Sequence, residues 1–194
     1  MAENIFSKSG SAKHIHDLEV IFESSEARYG KKLDWKSYDV YDAASCLLRY
    51  LKLLPDPVIP VGFYDQFTAA INPDDFKGSI KSLQESILSI PSLNRQLLLY
   101  ILDLIAVFAR NDEANHMNSE RLASAFHPSL LSRIPRNMSA EDHSRAVDTI
   151  VFMVENPDYF VLGMTRLNMQ QPMDEATLEV STTTAEEVSR SKSM

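Results

Sequence analysis

The chain has 194 residues, 44% apolar and 24% charged, which is the balance of one soluble globular domain with at most an appendix. A formal charge of −8 argues against nucleic acid or an anionic membrane as the main partner, while leaving a local basic face open. The single cysteine, Cys46, excludes an internal disulfide and fits a reducing compartment.

Residues 1–10, "MAENIFSKSG", lack the basic-then-apolar pattern of a secretory signal. Ile15, Leu18, Ile21 and Phe22 recur at three- and four-residue spacing and predict an amphipathic helix over 10–29, with Gly30 placed to end it in the left-handed conformation. Asp39 is a good N-cap for a second helix carrying Ala43, Ala44, Leu47, Leu48, Leu51 and Leu54, which "PDPVIP" then stops. Short helices are expected near 62–70 and 78–89.

The stretch "SLNRQLLLYILDLIAVFARN" is apolar on nearly all sides and predicts a central helix buried all round. Its apolar run over 97–109 is broken by Asp103 and falls short of the roughly 20 residues a bilayer span needs. The sequence therefore predicts a cytoplasmic protein without an intrinsic membrane anchor. Asn118 is expected to cap a helix through Ala125 that "HPSLL" ends. Ser139 with Asp142 has capping-box spacing before a helix bearing Val147, Ile150, Val151 and Val154, closed near Asn156. No useful period-2 alternation occurs, so the fold reads as all-α. After about Thr165 the chain is rich in Ser, Thr and Glu, and its composition predicts a disordered polar tail over 165–194.

Searches for chemistry are mostly negative. The loop "SKSGSAKH" lacks the spacing of a phosphate-binding loop, and no G-x-S-x-G elbow is present. His14, His16, His116, His127 and His143 show no H-E-x-x-H spacing and read as surface or helix-end residues. Met153 and Met164 read as core. Neither a metal nor a cofactor is expected.

Three segments in order carry a resemblance: "NIFSKSGSAKHIHDLEVIFE", "DVYDAASCLLRYLKLLPDPVIP", and "NHMNSERLASAFHPSLL" continued by "DTIVFMVENPDYFVLGM". Together they resemble the GTPase-activating domain for Rho-family small GTPases, most closely its fungal branch, to which "YGKKLDW" and "FHPSLLS" are also similar. The resemblance spans roughly 4–163 and implies an all-α bundle that binds the GTP-loaded form of Rho, Rac or Cdc42 proteins. Family members insert an arginine from a loop opening with Ile/Leu-Phe/Tyr-Arg. A guanidinium delivered to a water-poor site stabilises the charge spread over the phosphates in the transition state. In the related Ras case activation is ~10⁵-fold, equivalent to roughly 7 kcal/mol of barrier.

In this chain the finger position, directly after Ile5-Phe6, is Ser7. Lys8 follows it, but a lysine lacks the planar fork of an arginine. The resemblance also implies a Lys and an Arg seven and three residues before Pro55, where Leu48 and Lys52 stand, with Arg49 beside the first. It implies an Asn before Leu122-Ala123, where Arg121 stands. The expected GTPase-binding set is Lys8, Arg49, Lys52, Asn118 and Arg121, with Asn118 also a helix cap. A solvated helix edge is the competing reading of Arg49, Lys52 and Arg121. Family domains carry a helix before the finger loop, whereas Ser7 stands six residues from the start of this sequence, so a bundle lacking its first helix and exposing apolar surface is expected. A natural truncation, a fragment of a larger product and a drifted copy remain open. The expected function is a GTPase-binding module with weak or absent activation; an active activator and a non-functional fragment or helical scaffold are the alternatives.

Overall fold

The computed structural model describes residues 2–133 and 138–162, and every regular element among them is helical. The helices are α1 (Ala12–Glu23), α2 (Val40–Lys52), α3 (Tyr64–Thr68), α4 (Phe76–Ser89), α5 (Ser92–Ala109), α6 (Asp112–Asn115), α7 (Ser119–Leu130) and α8 (Ala140–Glu155), followed by a π-helical turn at Asp158–Leu162. The segment expected to be a disordered tail, and Met164, lie outside the described residues.

Local chemistry sets most of the boundaries. Asp39 caps α2 by accepting from the Tyr41 N–H, and the Asp42 side chain reaches back to the Asp39 N–H, a reciprocal capping box. Asp75 caps α4 and Asn118 caps α7, each through its side-chain oxygen. Ser139 Oγ accepts from the Asp142 N–H, while the Asp142 carboxylate turns to the Ser139 hydroxyl and to Arg133, so only half of the expected box forms.

Two expected boundaries and one expected burial change. Helix α1 ends at Glu23 rather than near Tyr29. Gly30 instead closes a separate 3₁₀ turn over Arg28–Gly30, at φ +77°, where a Cβ would strike the Phe22 ring 2.4 Å away. Helix α7 passes through Pro128 to Leu130, because the Val58 and Ile59 backbone N–H groups donate to the Ser129 and Leu130 carbonyls and hold that last turn in place. The third concerns α5. It buries Leu98, Ile101, Leu102, Ile105 and Ala106, but Leu93, Tyr100 and Val107 face solvent. At 18 residues it is also longer than its apolar run and long enough to cross a membrane by length and composition. Its packing against α7, α8 and α4 makes it one wall of the bundle, covered on its inner side alone among the described residues.

The main core joins α2, α3, α4, α5, α7 and α8, with Phe67, Leu83, Leu98, Phe126, Ile150 and Met153 fully buried. Burial of each such side chain stabilises the fold by ~1.5–3 kcal/mol. Helix α1 packs on α2 through a satellite core of Ile15, Leu18 and Cys46. Ile5 and Phe6 belong to the main core although they precede α1. The loop before α1 is therefore anchored at one end in the bundle and at the other on α2.

Candidate functional site

The loop over 4–11 begins with two non-glycine residues in the left-handed region, Asn4 (φ 55°) and Phe6 (φ 67°). A bulky residue adopts that conformation only where its surroundings over-determine it. Here they do. The Phe6 ring packs edge-on against Phe108 at 5.1 Å and Phe126 at 4.9 Å. The Asn4 N–H donates to the Asn115 carbonyl at 2.7 Å, and the Asn4 carbonyl accepts from both Ser7 and Lys8 N–H groups. Asn115 is fully buried; its amide donates to the Phe108 carbonyl and its side-chain oxygen accepts from the Met117 N–H.

The loop's exit is held by α2. The Gly10 N–H donates to Ser45 Oγ at 3.0 Å, and the Ser11 N–H donates to Asp42 Oδ1 at 2.7 Å. Asp42 Oδ2 accepts from the Asp39 N–H and pairs with His14 Nδ1 at 2.8 Å. Asp42 is 1% exposed. Burial pushes its carboxyl pKa up, but the bonds from Asp39, His14 and Ser11 and the charge of His14 outweigh that and hold it below the ordinary value.

Between these anchors Ser7 is exposed, and its hydroxyl reaches the Met117 Sδ at 3.4 Å. It edges a cleft of ≈ 400 Å³ between the loop, α2 and the end of α7. Lys8, Arg49 and Lys52 line the same cleft, together with Leu48, Ser45 and Ser129. Four of the six expected site residues are thus gathered in one place. Their charges are not equally available. The Lys8 ammonium lies 4.6 Å from the centroid of the Tyr41 ring. Arg49 Nε pairs with Glu19 at 2.5 Å, whereas Lys52 is exposed without an ion pair among the described residues.

The other two expected residues sit at the start of α7. Asn118 accepts from the Arg121 N–H at 2.9 Å, as a cap should, and lines a separate acidic depression with Asp112, Glu120, Asp148 and Glu155. Arg121 turns inward along the surface: its guanidinium donates to the His116 carbonyl and, at 3.0 Å, to Asn4 Oδ1. It braces the loop that carries Ser7. Among the histidines, His127 departs from the surface reading. It is 7% exposed, its ring lies 4.3 Å from that of His143, and burial, aided by His143, pushes its pKa down to about 4.

Sequence reading did not find Asp42, Ser45 or Asn115, which fix the loop. For Asp42 a signal existed: an acid at the third helical position after Asp39, one turn before Cys46 on a face of α2 that is otherwise apolar.

The RhoGAP domain family model matches residues 1–134. Rho-GTPase-activating protein 5 of Schizosaccharomyces pombe is 33% identical over 161 residues, covering 82% of this chain and 44% of the relative. Rho-GTPase-activating protein BAG7 of Saccharomyces cerevisiae is 34% identical over 156 residues, covering 77% of this chain and 38% of the relative. The chain thus spans less than half the length of either fungal relative. Among solved structures, the BH domain from Graf, the GTPase regulator associated with focal adhesion kinase, superposes with a TM-score of 0.71 at 22% identity, covering 82% of this chain and 84% of that one. Human Rho GTPase activating protein 15 gives 0.72 at 20% identity, covering 82% and 75%. Those two likenesses establish the shared fold. With the family match over most of the chain and the helical bundle in agreement, this chain belongs to the RhoGAP domain family.

Proposed function

We propose that this domain acts in small-GTPase signalling in the cytoplasm, recognising a Rho-family GTPase in its GTP-bound form while stimulating hydrolysis weakly or not at all. The observation that carries the reading is Ser7: the loop frame is intact, the tip is exposed at the cleft, and the side chain there is a hydroxyl. A serine brings no charge to phosphates and has a far shorter reach than a guanidinium. Neither neighbouring cation replaces it, because Lys8 rests on Tyr41 and Arg49 is paired with Glu19. Recognition falls to Lys52 and the apolar and hydroxyl groups of the cleft, with Arg121, at the helix start that Asn118 caps, supporting the loop from behind. In this reading the domain is a pseudo-activator that occupies GTP-loaded GTPases without resetting them.

Single-turnover GTP hydrolysis with purified Rho-type GTPases tests this directly. The wild-type chain should bind the GTP-analogue form in preference to the GDP form and leave the hydrolysis rate within ~10-fold of intrinsic. Stimulation approaching ~10⁵-fold would show an active GTPase activator and overturn the reading. Absence of binding to every Rho-family member would favour a helical scaffold or non-functional fragment. Ser7→Arg separates the causes: recovered stimulation locates the loss at the finger alone.

A further inference from the structure

Asp42 does more than a helix cap requires. A capping acid at this position needs one bond, to the Asp39 N–H, and would ordinarily sit in solvent. The Asp42 carboxylate is buried and gives its remaining acceptor capacity to two groups far away in sequence, the Ser11 N–H, 31 residues off, and His14 Nδ1, 28 residues off. Because Oδ2 can only accept, His14 must carry its proton on Nδ1. The loop lies so close that a Cβ on Gly10 would come within 2.5 Å of Asp42 Oδ1 and 2.6 Å of its backbone N and Cα. Ser45, on the next turn of α2, takes the Gly10 N–H. Arg49 and Lys52 follow on the same rigid helix, about two and three turns beyond Asp42.

We propose that Asp42 is the positioning residue of the finger loop. By holding the Ser11 N–H and His14 on α2, beside the Ser45 tie to Gly10, it fixes the tip at position 7 in register with the cationic side of the cleft. The proposal rests on the GTPase-binding reading for its consequence, and on the loop geometry alone for its mechanism. An asparagine at 42 keeps one acceptor oxygen but turns an NH₂ donor toward either Ser11 or Asp39, so one backbone N–H faces another donor. His14 can change tautomer and accept; a peptide N–H cannot.

Two measurements on the full chain decide it. Amide hydrogen exchange in Asp42→Asn should accelerate at least ~10-fold across 7–11, with the interior amides of α5 and α8 keeping their rates. His14→Ala and Ser45→Ala, which each remove one tie and retain the buried carboxylate, should loosen the same amides by a smaller factor. In a Ser7→Arg background, Asp42→Asn should lower the maximal stimulated hydrolysis rate by roughly tenfold or more while half-saturation by the GTP-loaded GTPase moves less than about threefold, the pattern of misplacement rather than lost binding. Loop amides at wild-type rates, acceleration spread evenly over all helices, or rate and half-saturation changing in proportion would each overturn the proposal. If Ser7→Arg neither binds nor stimulates any Rho-type GTPase, the functional reading fails, and the exchange pattern alone then decides the role of Asp42.

Discussion

The loop before α1 and the outer face of α5 invert the usual association between apolar character and tertiary contact. The loop is short, mostly polar and built on a glycine, yet its backbone and side chains are tied to four separate helices through Asn115, Asp42, Ser45 and the Phe6 ring. The α5 face is a row of large apolar side chains, Leu93, Tyr100 and Val107, and they meet solvent. What fixes a segment is the number of partners that specify its position, and the hydrophobicity of its own residues is a poor guide to that number.

Substitutions can break or sharpen this contrast. Phe6→Ala should cost about 3–5 kcal/mol, because it empties a site closed by Phe108 and Phe126; a urea melt reads it as a lowered midpoint with an unchanged slope. Removing an apolar ring from the loop would thus do more damage than removing one from the most apolar helix. Next comes acid. Unfolded His127 takes up a proton near its ordinary pKa of 6.5, whereas the folded residue resists until about 4. Stability contributed by neutral His127 is therefore present above pH 6.5 and falls away between about 6.5 and 4, by on the order of 3 kcal/mol. Urea midpoints at pH 7 and pH 4.5 check this, and His127→Phe should flatten that part of the profile.

Arg121→Ala removes the brace between α7 and Asn4 at an exposed position, with an expected loss of about 1 kcal/mol. Amide exchange should then quicken around Asn4 while α1 is unaffected. Arg121→Lys should not restore it, since one ammonium cannot reproduce the forked contact with both His116 and Asn4. The smallest effect is expected on α5: Tyr100→Ser should shift stability by no more than about 0.5 kcal/mol, read from the same melts. A larger loss would mean that the outer face is covered in solution.

The fold class and most helix starts were legible because they depend on local chemistry: Asp39, Asn118 and Ser139 each cap the helix that the pattern predicts. Helix ends were less legible. The turn of α7 beyond Pro128 exists because residues 58–59 pair with it from far along the chain, and no local signal carries that. The exposure of α5 was illegible for the same reason, since periodicity reports which residues are apolar and says nothing about how many neighbours arrive. At the candidate site, Ser7, Lys8, Arg49 and Lys52 of the expected set line one cleft, whereas the inward use of Arg121 and the buried Asp42 depend on contacts between segments far apart in sequence.

Ser7 is exposed among the described residues and its hydroxyl meets the Met117 sulfur, so the frame around it depends little on what stands there. Folding and chemistry are separated at this residue. A cell's quality control, which senses unfolded chains, has no means of distinguishing a serine from an arginine at position 7, and both versions would accumulate to similar levels. A substitution at this one site therefore alters the chemistry presented at the cleft at undiminished abundance and without a new fold.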